Sequence, residues 1–207
     1  MKAQQEQKDM LKYERHYFLQ NKKVIAGCDE VGRGPLAGPV VCCSIIMPLK
    51  KDLIIEGVKD SKKLSPKKRQ ELYEKITNVA TTYNVSYVDE KVIDDINILQ
   101  ATKLCMKKCI NALKVKPDII LVDAVDKLDI NLSYQSIIKG DDKSYVIACA
   151  SIVAKVERDE FMKQMHNTYP LYNFFKHKGY GTKEHIELIK QHGECEIHRK
   201  TFIKNFK

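Results

Sequence analysis

The sequence predicts an α/β domain, a mixed sheet flanked by helices, followed by a helical C-terminal extension. Three observations carry this. Short apolar runs at 24–30, 38–47 and 118–125 hold β-branched residues and cysteines and read as buried strands. Between them, 95–113 and 144–167 place apolar residues at helical spacing. Strands, helices, strands and helices follow one another without repeats or low-complexity stretches, an order that belongs to α/β folds. With 207 residues, 43% hydrophobic and 30% charged, the chain can bury one ordinary core with a small appendage.

The elements follow in order. Residues 5–20 form a polar, charged helix within an N-terminal arm, 1–23. "VIAGCDE" (24–30) is an apolar run ended by acids, and "GPVVCCSIIM" (38–47) is a second strand, joined to it by a Gly-rich turn. Ser65 caps a helix whose first position is Pro66, where a missing N–H costs nothing; that helix runs to about Thr82. A short strand, 84–88, precedes the helix 95–113, which Lys116-Pro117 ends. "DIILVDAV" (118–125) is the clearest buried strand, and "YQSIIKGDD" (134–142) is another that ends in Gly140-Asp141. A long helix over 144–167 completes the main domain, 24–167, and 168–207 form a smaller, basic, helical extension.

Composition narrows the function classes. No apolar run approaches the ~18–20 residues of a membrane span, and the N-terminus lacks the apolar stretch of a signal peptide; a cytoplasmic protein without a membrane partner is expected. Seven cysteines, with no CxxC pair and with Cys28, Cys42, Cys43 and Cys149 in apolar surroundings, read as reduced core residues rather than a zinc or disulfide framework. The formal charge is +9, which invites an anionic partner. It is concentrated: six basic residues against Asp60 in "KDSKKLSPKKR" (59–69), and eight Lys/Arg against four Glu in 174–207.

Gly32-Arg33-Gly34-Pro35-Leu36-Ala37 fits the letters of a dinucleotide-binding loop, G-x-G-x-x-G/A. Such a loop must open a helix. Here Pro35 and a strand follow, Asp52 lies in a loop where the ribose-binding acid would stand, and Asp29-Glu30 would repel a pyrophosphate. The dinucleotide reading fails.

Acids at the ends of buried strands carry a different meaning. Within a strand they cost several kcal/mol unless paired or bound to a cation; at strand ends they can converge on a common point. Three ends qualify: Asp29-Glu30, Asp123 and Asp141. Because adjacent strand residues face opposite ways, Asp29 and Glu30 share a site only if the chain turns at once, which Gly32-Arg33-Gly34 permits. Oxygen donors favour Mg²⁺ or Mn²⁺, and a pair of such ions hydrolyses phosphodiesters. Structural roles compete: Asp123 capping a loop, Asp141 capping the next helix, Glu30 pairing with Arg33.

The blocks "AGCDEVGRGPLAGPVV", "DSKKLSPKKR", "NILQATKLCM", "IILVDA", "IIKGDDKS", "ACASIVAKVERDEFM", "YPLYNFFKHKGYGTKEH" and "GECEIHRKTF" resemble, in order and over about 24–203, the ribonuclease HII family. That resemblance implies a ribonuclease H-like mixed sheet flanked by helices. It implies an endoribonuclease that hydrolyses the RNA strand of RNA–DNA hybrids and incises 5′ of single ribonucleotides in duplex DNA, leaving 5′-phosphate and 3′-hydroxyl ends. The implied metal ligands and catalytic residues are Asp29, Glu30, Asp123 and Asp141, holding Mg²⁺ or Mn²⁺ in a two-metal site. Gly32, Arg33 and Gly34 would read the 2′-OH and phosphate at the RNA–DNA junction, Tyr180 would press on the deoxyribose beyond it, and Asp60, Ser61, Lys62 and Lys63 would lie beside the backbone. The implied partners are hybrids and ribonucleotide-containing DNA, met by a monomer.

The sister ribonuclease HIII lacks the G-R-G triplet in the corresponding motif and carries a long N-terminal substrate-binding domain, whereas about 23 residues precede the first strand here. Ala124 stands where many members have Gly. Asp142 adds a carboxylate beside Asp141, which is the expected ligand because it directly follows Gly140. His177, His185, His192 and His198 with Cys195 match no zinc spacing. Two rivals from other classes remain testable: a non-catalytic RNA–DNA duplex-binding protein, and a nucleotide-dependent oxidoreductase.

Overall fold

The computed structural model describes residues 9–206; residues 1–8 of the expected arm lie outside them. Five strands form one sheet in the order β3-β2-β1-β4-β5. β1 (Ile25–Val31), β2 (Val40–Ile46) and β3 (Thr82–Val88) are antiparallel neighbours. β4 (Ile119–Asp123) and β5 (Tyr134–Ile137) add in parallel on the other side of β1. β1 is therefore central, and its residues from Ile25 to Cys28 are apolar and buried because both faces are covered.

Alternation along β1 sorts its side chains between two cores. Ile25 packs with Cys43, Ile45 and Leu121 beneath α2 (Pro66–Val79) and α4 (Tyr145–Thr168). Ala26 and Cys28 face the opposite way, onto Cys105, Met106 and Ile110 of α3 (Glu90–Asn111). Each fully buried Leu or Ile stabilises by about 1.5–3 kcal/mol. Cys28, Cys42, Cys43 and Cys149 are all buried free thiols, as core residues should be.

Local chemistry sets the boundaries. Ser65 caps α2 by accepting from the Lys68 amide, with Pro66 at the first position. The helix stops at Val79, earlier than the sequence predicts, because Thr82 already pairs with Ile46 in the sheet. α3 starts at Glu90, five residues before the predicted start at 95, since Asp89 caps it through the Val92 amide. Asn97 then breaks its path at φ 65°, and the Asn97 side chain accepts from the amides of Leu99 and Gln100. β5 ends at Ile137 rather than at Asp141, because Lys139 turns left-handed (φ 57°) into a 3₁₀ turn, Gly140–Asp142.

The described part of the N-terminal arm docks. α1 (Lys12–Leu19) places Glu14, 2% exposed, at the start of α4. Glu14 Oε1 accepts from Ser144 Oγ at 2.6 Å and from the Val146 amide at 3.0 Å. Beyond α4, the short helices α5 (Phe174–His177), α6 (Lys183–His192) and α7 (Lys200–Ile203) close over a third core around Leu36, Met162, Phe174 and Ile189. No helix among the described residues is long and apolar enough to cross a membrane.

Candidate metal centre

The site forms where β1 outruns β4. Their pairing stops at Cys28↔Val122, while β1 continues beside β2 through Val31. One edge of residues 29–31 is therefore free at the mouth of the sheet, and β4 ends there with Asp123. Carboxylate oxygens of Asp29, Glu30 and Asp123 lie within 4.8 Å of one another. The turn expected at Gly32-Arg33-Gly34 follows directly on β1, which pairs through Val31 and is succeeded by Gly32 at φ 91°. Glu30, although it still pairs with Cys42 in the sheet, brings its carboxylate to those of Asp29 and Asp123.

Asp141 stands beside this trio but outside the 4.8 Å group. It is 6% exposed, on the 3₁₀ turn rather than on a strand. Gly140 ties that turn to β4 by donating its amide to Asp123 Oδ1 at 2.6 Å. A side chain at Gly140 would press on Ile147 Cδ1 and Asp123 Oδ1, so glycine is what the close approach allows. The cap of α4 is Ser144, not Asp141, which leaves Asp141 free of that structural role.

Electrostatics mark the cluster. Burial, then the charges of Glu30 and Asp123, push the Asp29 carboxyl well above the usual range, while a Ser151 hydrogen bond pulls the other way. Burial also raises Glu30, Asp123 and Asp141. Arg33 Nη1 lies 3.5 Å from Glu30 Oε1 and offsets part of the rise at Glu30. Glu30 Oε2 is buried without a hydrogen-bond partner. An orphaned carboxylate oxygen facing other carboxylates fits a bound cation, and an all-oxygen donor set fits a hard divalent one.

Gly32 is buried, while Arg33 and Gly34 are exposed. Asp60 caps a 3₁₀ turn, Ser61–Lys63, through the Lys62 amide, and Ser61 Oγ meets Ser151 Oγ at 2.9 Å. Both are buried, so of this segment only the lysines face outward. Lys62 Nζ reaches 3.8 Å from Asp141, and Lys63 Nζ lies 2.5 Å from Asp142. Tyr180 is 38% exposed on the loop before α6, with Lys155 Nζ and the Arg158 guanidinium 5.8 and 5.7 Å from its ring centre. His185 and His198 meet through Nε2 atoms at 3.0 Å.

Ser151, Lys155 and Arg158 were not among the residues singled out from sequence. Their i, i+4, i+7 spacing sets them on one face of α4, and Ser151, a lone polar residue in the apolar half of that helix, is the signal that could have found them.

The model of one protein family, described as ribonuclease HII, matches residues 26–205, nearly the whole chain. The chain belongs to the ribonuclease HII family. It is 56% identical over 192 residues to the ribonuclease HII of Caldicellulosiruptor saccharolyticus, covering 93% of each chain. Among solved structures it is similar to ribonuclease H2 of Pyrococcus horikoshii, with TM-score 0.76 and 29% identity over 88% of this chain and 96% of that one. It is also similar to the ribonuclease HII of Archaeoglobus fulgidus, solved in a complex with PCNA, with TM-score 0.73 and 29% identity over 85% and 93%. Membership in ribonuclease HII makes the chain a hydrolase, an endoribonuclease of the ribonuclease H type. The family binds RNA–DNA hybrids and works with divalent metals, and the acidic trio is a donor set that could hold one here.

Proposed function

We propose that this ribonuclease H incises duplex DNA on the 5′ side of an embedded ribonucleotide, besides cutting the RNA strand of hybrids, and leaves 5′-phosphate and 3′-hydroxyl ends. Ribonucleotide removal during DNA replication and repair is the corresponding role, carried out by a cytoplasmic monomer. The observation that carries the reading is the trio of Asp29, Glu30 and Asp123 within 4.8 Å, with Glu30 Oε2 unpartnered.

In this reading Asp29, Glu30, Asp123 and Asp141 hold the metal, which is Mg²⁺ or Mn²⁺ and most simply a pair. Such ions, when bound, supply an activated water and neutralise charge on the leaving 3′-oxygen. The protein does the rest. Gly32-Arg33-Gly34 presents backbone amides to the 2′-OH, the group that separates RNA from DNA, while Arg33 forks onto a phosphate. Tyr180 bears on the neighbouring deoxyribose. The Asp60-Ser61-Lys62-Lys63 turn lies along the backbone, and its lysines contribute charge.

A duplex carrying one ribonucleotide, incubated with and without Mg²⁺ or Mn²⁺, tests this. The expected product is a single nick 5′ of the ribonucleotide, with a 5′-phosphate, formed only with metal. An intact strand accompanied by salt-dependent binding would favour the duplex-binding alternative, and a 5′-hydroxyl product would exclude the proposed chemistry.

A further inference from the structure

Arg158 and Arg199 are both 0% exposed. A buried guanidinium is costly to desolvate, and here every nitrogen of both is spent on main-chain carbonyls. Arg158 donates from Nε, Nη1 and Nη2 to Pro39, Lys178 and Ala37 at 3.0, 3.0 and 3.1 Å. Arg199 donates from Nε to Gly38 at 2.9 Å, from Nη1 to Arg33 at 2.9 Å, and from Nη2 to Gly32 and Gly38 at 2.6 and 2.8 Å. The backbone of Arg199 also donates to Leu36 O, and Leu36 in turn donates to Gly179 O, at 2.8 Å each.

These bonds fix the direction of specific amides. No peptide bond among the described residues is cis, and in a trans peptide the N–H points opposite to the preceding C=O. With the carbonyls of Gly32 and Arg33 turned inward onto Arg199, the N–H groups of Arg33 and Gly34 must point outward. Gly32 has φ 91°, and a side chain there would run into the Arg158 side chain and Pro39 O, so the turn is seated directly on both cations. Packing alone would not need a charged fork. Two or three carbonyls held at one angle do need it, since the planar guanidinium offers five donors in fixed directions.

We propose that Arg199, braced by Arg158, is a positioning residue for ribose recognition: its guanidinium holds the Gly32 and Arg33 carbonyls inward and thereby aims the Arg33 and Gly34 amides at the 2′-OH. The proposal rests on the reading above in one respect, that this turn meets the ribose. Arg158 extends the same anchor to the other reading element, because its Nη1 holds Lys178, two residues before Tyr180.

The test compares affinities for two duplexes, one with a single ribonucleotide and one all DNA, measured by anisotropy in chelator for the native chain, Arg199→Met and Arg199→Lys. The native ratio of the two dissociation constants should collapse by about tenfold in Arg199→Met, the size of one well-placed hydrogen bond. Mn²⁺ affinity, measured by calorimetry, should stay within about twofold. Arg199→Lys keeps the charge but not the fork; it should also lose the ratio, and it carries the test if the Met variant does not fold. An unchanged ratio in a folded variant overturns the proposal, as does loss of Mn²⁺ affinity in step with both duplexes, which would make Arg199 a general support. A native chain that binds both duplexes equally would count against the Gly-Arg-Gly reading itself and remove the basis of this one.

Discussion

Gly140 donates its amide to Asp123 Oδ1 at 2.6 Å, so the turn that bears Asp141 and the strand end that bears Asp123 move as one piece. A methyl at residue 140 would meet Ile147 Cδ1 at 2.6 Å and Asp123 Oδ1 at 3.2 Å. Gly140→Ala should therefore destabilise by about 1–3 kcal/mol, a drop in Tm of roughly 2–12 °C for a chain of this size, and slow cleavage. Calorimetry and an assay on hybrid check both; an unchanged Tm would mean the turn yields freely.

Asp29→Asn should abolish cleavage while hybrid binding survives, because on the proposed reading the substitution removes a metal ligand and leaves the basic surface intact. It should also stabilise the metal-free protein. Folding raises the Asp29 carboxyl through burial and its neighbours' charges, so this group's stability is full at low pH and lost as pH rises through the folded value. The Tm advantage of Asp29→Asn over the native chain, measured without metal, should widen as pH rises from about 4. Near-native turnover in the variant would sink the ligand assignment.

Tyr180 is partly exposed, so Tyr180→Ala should change stability by less than about 1 kcal/mol. Cutting at a single embedded ribonucleotide should nonetheless fall by about tenfold or more, the scale of one lost aromatic contact. Parallel rates on that duplex decide the matter, and equal rates for the two proteins would remove Tyr180 from recognition.

Burial holds His185 and His198 down, each to about 4, so both are neutral in the fold. In the unfolded chain they take up protons near pH 6.5. Their contribution is complete above that value and is lost as pH falls towards 4. Tm should decline over this window, and His198→Gln should flatten the decline. A slope identical in native and variant proteins would show that other groups control acid stability.

Much of this was legible in the sequence because it depends on local pattern. The strands ending in Asp29-Glu30 and Asp123 show as apolar runs stopped by acids, and Ser65-Pro66 announces a helix start. Other features depend on contacts far along the chain. Nothing near Glu14 signals that it will meet Ser144 and Val146, some 130 residues away. "KVERDEF" and "IHRKTF" read as solvated cations, yet Arg158 and Arg199 are buried because carbonyls of residues 32–39 await them. Strand alternation sets Asp29 and Glu30 on opposite faces, and it says nothing about a neighbouring strand that ends early. Asp141 reads as a strand end because the left-handed Lys139 carries no sequence mark.

Helix α4 gives these parts a common scale. Ser151 lies beside the Asp29 carboxylate and lowers its pKa, and Arg158, seven residues on, holds the carbonyls of Pro39 and Lys178. Seven residues are almost two full turns, so both side chains lie on one face about 10 Å apart along a stiff axis. The helix is thus a ruler: on the proposed reading, the offset between the bond that breaks and the sugar that is sensed is a length cut into a rigid rod, and one inserted residue would turn its far mark by about 100°.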